Sequence, residues 1–210
     1  MKKWNLAVWG VILGYAVVLF TYLGGYECEM ERLQRGIAEE VIRFHVRANS
    51  DSEEDQQLKL KVKETVVEYL ADTLEEAATV EEAKAMIEAD IDNIIMAAQA
   101  VISLENKEYT VEAYFSEEYF PIKCYGDVTM PAGVYEAFRV DIGKAEGKNW
   151  WCVLFPKLCF VDVCYGTVPE ESKEALELVL DEDEYELIIG EDVDYEFRIF
   201  KFLNKLILNK

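Results

Sequence analysis

Arg43, His45 and Arg47 recur at every second position, and His45 is the sole histidine of the chain. Spacing of two places all three on one face of a strand. Two chemistries suit such a set. One is a basic stripe for a partner, standing out locally in an acidic chain. The other is a His–Cys pair, with imidazole as base and one of five cysteines as nucleophile. The second needs an orienting acid and an oxyanion site, and no complete constellation can be read from the residues. The structural alternative is a solvated stripe, or one paired with local carboxylates.

The cysteines are Cys28, Cys124, Cys152, Cys159 and Cys164. Cys152 and Cys159 would face each other across a turn at Phe155-Pro156, which makes them the candidate disulfide in an oxidising compartment. Buried free thiols are the alternative. Zinc is disfavoured, because no paired C-x2-C framework is present and one distant histidine does not supply it. Trp150 and Trp151 are adjacent, so in a strand they point to opposite faces. One would pack inward and the other would anchor a partner, unless a second layer covers both. The P-loop, G-x-G-x-x-G, H-E-x-x-H and G-x-S-x-G patterns are missing, so no reaction class has positive support. The expectation is a non-enzyme without cofactor or metal.

Several elements must position these groups. Lys2 and Lys3 precede an uncharged run to Tyr26, and Leu6 to Leu23 is almost wholly apolar. Such a run can cross a bilayer, with the lysines in the cytoplasm and the rest outside. Residues 1–26 are thus a signal peptide or a signal anchor. A short helix is expected over Glu27–Glu40, and a strand over Val41–Ala48 with one buried and one basic face. Ser50 or Ser52 would cap a helix burying Leu58, Val62, Val66 and Tyr69. Thr79 would cap a second, burying Ala83, Ile87, Ile91, Ile94, Ala98 and Val101. These two form a hairpin. Period two resumes at Tyr109, with further strands over Val134–Ile142 and from Trp150, and loops at Gly126 and Pro131-Ala132-Gly133. The expected fold is α+β: a helical hairpin packed on a mainly antiparallel sheet, spanning residues 27–168.

Residues 169–210 change character. Thirteen acids and one lysine lie between Glu170 and Glu196, followed by a basic, amphipathic C-terminus. Ser172–Leu180 reads as a helix and Tyr185–Ile189 as a strand. The whole chain has 42 acidic and 21 basic residues, a net charge of −21. That balance disfavours nucleic acid, since no excess of lysine and arginine neutralises phosphates. The 51% apolar fraction excludes a disordered acidic chain.

Three motifs carry a resemblance. They are Ile42-Arg43-Phe44-His45-Val46-Arg47-Ala48-Asn49-Ser50-Asp51-Ser52 with Asp55-Gln56 and Leu58–Val62, then Pro131-Ala132-Gly133-Val134-Tyr135-Glu136-Ala137, then Asn149-Trp150-Trp151-Cys152-Val153-Leu154-Phe155-Pro156 with Leu158–Asp162. In this order, after a membrane signal, the chain resembles the stage II sporulation protein R family over roughly residues 1–165. Lys157 departs from the proline expected after Pro156.

The resemblance implies a protein of an endospore-forming bacterium, exported across the forespore membrane into the space between forespore and mother cell, anchored or released. It implies a signalling ligand that activates a membrane-embedded aspartic protease of the mother cell, which removes the pro-segment of the sigma-E precursor. The partner is then the exported region of that protease, with the membrane engaged through the N-terminal segment. Arg43, His45, Arg47, Trp150 and Trp151 are the partner-binding candidates, chosen from composition and not from the family. The rivals are a thiol-dependent cell-envelope enzyme and a structural wall-binding protein.

Overall fold

A computed structural model describes residues 2–159 and 168–189. Helix α1 runs unbroken from Lys2 to Glu39. It contains a window long and apolar enough to cross a membrane, with a mean hydropathy of 1.8. The helix expected over 27–40 is therefore the last part of one long helix. No proline lies between Lys2 and Glu39 to stop it, and Leu33 and Ile37 dock its end into the core.

Strand β1 (Ile42–Arg47) leads to α2 (Glu53–Thr73) and α3 (Val80–Leu104). Ser52 caps α2 by accepting from the Asp55 amide at 3.2 Å. Thr79 caps α3 by accepting from the Glu82 amide at 3.2 Å, and the Glu82 carboxylate accepts from the Ala78 amide. Leu58, Val62, Val66 and Leu70 of α2 meet Ala83, Ile87, Ile94 and Ala98 of α3 in one apolar cluster. Tyr69, Ile91 and Val101 are only partly buried.

The remaining strands are β2 (Val111–Phe120), β3 (Lys123–Tyr125), β4 (Val128–Met130), β5 (Gly133–Ile142) and β6 (Asn149–Phe155). The main sheet has the order β2-β5-β1-β6. Pairs β2–β5 and β1–β6 are antiparallel, while β1–β5 is parallel. The α2–α3 hairpin and β2 lie between those two strands in sequence, which supplies the long connection that parallel pairing needs. The fold class is α+β with a mainly antiparallel sheet.

Helix α4 (Glu170–Val179) covers the helix expected there. Residues Glu182–Ile189 form helix α5 and not the expected strand. The Glu184 carboxylate accepts from the Asp181 amide, which favours a helix start, and Glu184 and Ile188 point inward four residues apart. Leu176, Leu180 and Ile188 join the same core as the sheet, so the acidic segment up to residue 189 packs on the domain. The basic amphipathic C-terminus lies outside the described residues.

Candidate functional site

Strand β1 is internal to the sheet and covered on both faces. Ile42, Phe44 and Val46 are fully buried, and so are Arg43 and His45, at 0% and 1% exposure. The expected solvent-facing basic stripe is therefore corrected at these two positions. The cover is the β3–β4 ribbon together with Phe120, Tyr135 and Trp151, a third layer formed partly by residues that read as loops. Arg47, at the strand end, is only half-buried, and its Nε donates to Asn149 Oδ1 at 3.0 Å.

Arg43 is held without a carboxylate partner among the described residues. Its guanidinium carbon lies 4.4 Å from the Phe120 ring centre and 4.9 Å from that of Tyr135. Its Nε donates to the Cys152 carbonyl at 3.3 Å and its Nη2 to the Tyr125 hydroxyl at 3.2 Å. Aromatic faces thus supply the negative potential that a buried cation requires. Burial pushes the Tyr125 phenol well above its ordinary value, so it stays neutral.

His45 lies flat on Trp151, with ring centres 5.1 Å apart and planes at 9°, and meets Phe120 edge-on at 5.8 Å. Burial pushes its pKa down to about 4, opposed by Glu118 and Asp141 and reinforced by Arg139 and Arg47. At neutral pH this imidazole is uncharged. Neither ring nitrogen has a hydrogen-bond partner among the described residues.

Arg139, Glu118 and Asp141 belong to no sequence motif above, yet they lie beside His45. Arg139 bridges Glu118 at 2.6 Å and Asp141 at 2.8 Å, and the Tyr114 hydroxyl donates to Asp141 at 3.0 Å. Register places Arg139 opposite both His45 and Tyr114. The alternation through Val134–Ile142 was the available signal. It puts Tyr135, Ala137, Arg139 and Asp141 on one face.

The tryptophans do point oppositely. Trp150 meets Phe44 edge-on at 5.9 Å and sits under Lys63 of α2, whose Nζ is 5.2 Å from the ring centre. Trp151 faces the ribbon side, with Lys123 Nζ 5.8 Å from its ring centre. Both are half-buried, so neither is freely exposed, because each face of β6 has its own cover.

No His–Cys pair is assembled among the described cysteines. His45 lies on the ribbon side, and Cys152 shares the helix-side face of its register partner Phe44. Cys152 and Cys159 are free thiols, not a disulfide, in this structure. Both sulfurs approach the Val153 carbonyl oxygen, at 3.7 Å and 2.9 Å.

The Ala48–Asp55 motif has a structural role. Asp55, 4% exposed, accepts from Asn49 Nδ2 at 2.9 Å and from the Ser50 hydroxyl at 2.5 Å. Asn49 Oδ1 accepts from the Lys144 amide and Asp51 from the Lys148 amide. Lys59 closes the knot by donating to the Lys148 carbonyl at 3.1 Å. The motif thereby ties the start of α2 to the β5–β6 loop. Gly147 is required there, since a Cβ would lie 2.3 Å from the Ser50 carbonyl oxygen.

These features define an α+β domain on a helix long and apolar enough to cross a membrane, with its central basic residues boxed by aromatic rings. Residues 38–165 match the stage II sporulation protein R family. The chain belongs to that family, which marks it as a sporulation protein. Stage II sporulation protein R of Bacillus subtilis (strain 168) is 36% identical over 138 residues, which cover 66% of this chain and 62% of that protein. No solved structure matches this chain.

Proposed function

We propose that this protein is an exported signalling ligand of endospore formation that activates a membrane-embedded aspartic protease, which then processes the sigma-E precursor. The observation that carries the reading is the convergence of the three family motifs on one sheet. The first motif forms β1, and the other two supply its neighbours β5 and β6. Family-defining residues thus build a framework around one strand, as a binding domain requires. The apolar half of α1 suits delivery across the forespore membrane.

In this reading the receptor contact is the β6 side of the domain. Trp150, Trp151 and Arg47 reach partial exposure there. Arg43 and His45 act from inside by fixing Trp151 and Phe120, not by touching the partner. Binding shifts the protease toward its active arrangement through higher affinity for that state.

The test is reconstitution. The full chain is produced with the protease and the sigma precursor in cells that lack other sporulation proteins. Precursor cleavage that depends on this chain supports the reading. Absence of cleavage, with folded chain on the outer membrane face, overturns it.

A further inference from the structure

We infer that Cys152 and Cys159 are a preassembled thiol pair that closes to a disulfide once the domain meets an oxidising compartment. The compartment rests on the export reading above; the pairing rests on geometry.

Strand β6 ends at Phe155, and the chain turns back through Pro156 and Lys157. The amides of Leu158 and Cys159 both donate to the Val153 carbonyl, at 3.3 Å and 3.1 Å. The Cys159 thiol donates to the same oxygen at 2.9 Å, and the Cys152 sulfur lies 3.7 Å from it. One acceptor thus gathers both sulfurs. The turn is also held from outside the pair: Lys157 Nζ donates to the Ala71 carbonyl of α2 at 3.3 Å, and the Ser172 hydroxyl of α4 donates to the Lys157 carbonyl at 3.1 Å. Cys124, by contrast, is exposed on β3 and bonds with the Thr129 hydroxyl.

Closure proceeds by thiol–disulfide exchange. The half-buried Cys159 loses its proton, and its sulfur attacks a disulfide oxidant. A mixed disulfide forms and one oxidant thiol leaves with a proton. Cys152 then attacks the Cys159 sulfur, gives up its own proton and releases the second oxidant thiol. Two cysteine thiols are oxidised and one disulfide is reduced to two thiols. Burial, and then the hydrogen bond with Cys152, push the Cys159 thiol up, so closure is slow at neutral pH and accelerates in alkali. The bond would lock the turn that ends the strand carrying Trp150 and Trp151.

The full chain, purified reduced in detergent, is incubated with glutathione disulfide, alkylated and digested with trypsin. Lys157 separates the two cysteines, so the bond joins a peptide ending at Lys157 to one beginning at Leu158. The expected result is that linked species, retained in Cys164→Ser and lost in Cys159→Ser. Fragmentation of the wild-type species assigns the sulfur even if Cys159→Ser does not fold. Alkyl label on both Cys152 and Cys159 after oxidation overturns the pairing, as does a bond mapped to Cys164. Chain made in sporulating cells is digested in parallel. A bond formed with glutathione disulfide but missing from that chain counts against export and leaves the pairing standing.

Discussion

The imidazole of His45 stacks on the indole of Trp151 across the β1–β6 pair, nearly parallel at 9°, with the Phe120 ring edge-on beside it. The stack joins the chain's sole histidine to one of the three residues placed at the proposed receptor face. Protonation at His45 would bury a charge whose desolvation outweighs the attraction of Glu118 and Asp141.

The sign of the pH dependence follows from this. The folded pKa is lowered from 6.5 to about 4, so the unfolded chain binds the extra proton between those values. The contribution of His45 is complete above pH 6.5 and falls as pH drops toward 4, by roughly 3 kcal/mol in all. Urea unfolding from pH 7.5 to 4 will show this slope, and His45→Phe will flatten it. As the sole histidine, its NMR titration is unambiguous; a midpoint near the ordinary value would contradict the buried geometry.

Arg43→Ala removes the guanidinium from between Phe120 and Tyr135 and leaves a cavity. We expect a loss of about 3–4 kcal/mol in chemical denaturation. Arg43→Met keeps the volume without the charge and should lose far less. Equal losses would mean that charge, rather than packing, dominates the site.

The Asp55 carboxylate accepts from Ser50 and Asn49, while its amide donates to the capping Ser52 hydroxyl. Burial raises its pKa, but hydrogen bonds led by Ser50 and Asn49 outweigh that and leave it lowered. Its contribution is present above the unfolded value and fades as pH falls through the folded one. Asp55→Ala should lose about 2–3 kcal/mol and speed hydrogen exchange of the Lys144 and Lys148 amides. Unchanged exchange would show that the knot does not couple α2 to the loop.

Gly147→Ala tests the close approach at that knot. Its Cβ would stand 2.3 Å from the Ser50 carbonyl oxygen, a backbone atom that cannot swing aside. A fall in Tm of several degrees is expected by thermal scan, and no shift would mean that the loop yields freely.

Trp151→Ala and Arg47→Glu should each reduce precursor cleavage in the reconstituted assay by tenfold or more, on the order of a lost interface anchor. Leu178→Ser, on the exposed surface of α4, should not. Full cleavage with both site variants folded would move the receptor contact elsewhere.

Local features of this protein were open to reading from sequence. Thr79 and Glu82 cap α3 because the spacing lets each side chain reach the other's amide region, a contact within one turn. The period-three-and-four apolar positions of α2 and α3 and the two-residue alternation of β5 are equally local. Helix α5 is not legible in sequence because the run Tyr185–Ile189 is too short for periodicity to separate strand from helix, and the Glu184 bond to the Asp181 amide favours the helix.

By itself the sequence determined the membrane-length apolar run, the capped hairpin, a strand within Val41–Ala48 and the three motifs of the family. Only the tertiary structure decided that Arg43 and His45 are inside. Alternation says that two faces differ, but not what lies over each. The β3–β4 ribbon comes from a stretch marked by glycine and proline, and it covers a face whose residues lie about eighty positions earlier. Closing that distance is the work of non-local packing, and it turns a basic stripe into an aromatic-lined core.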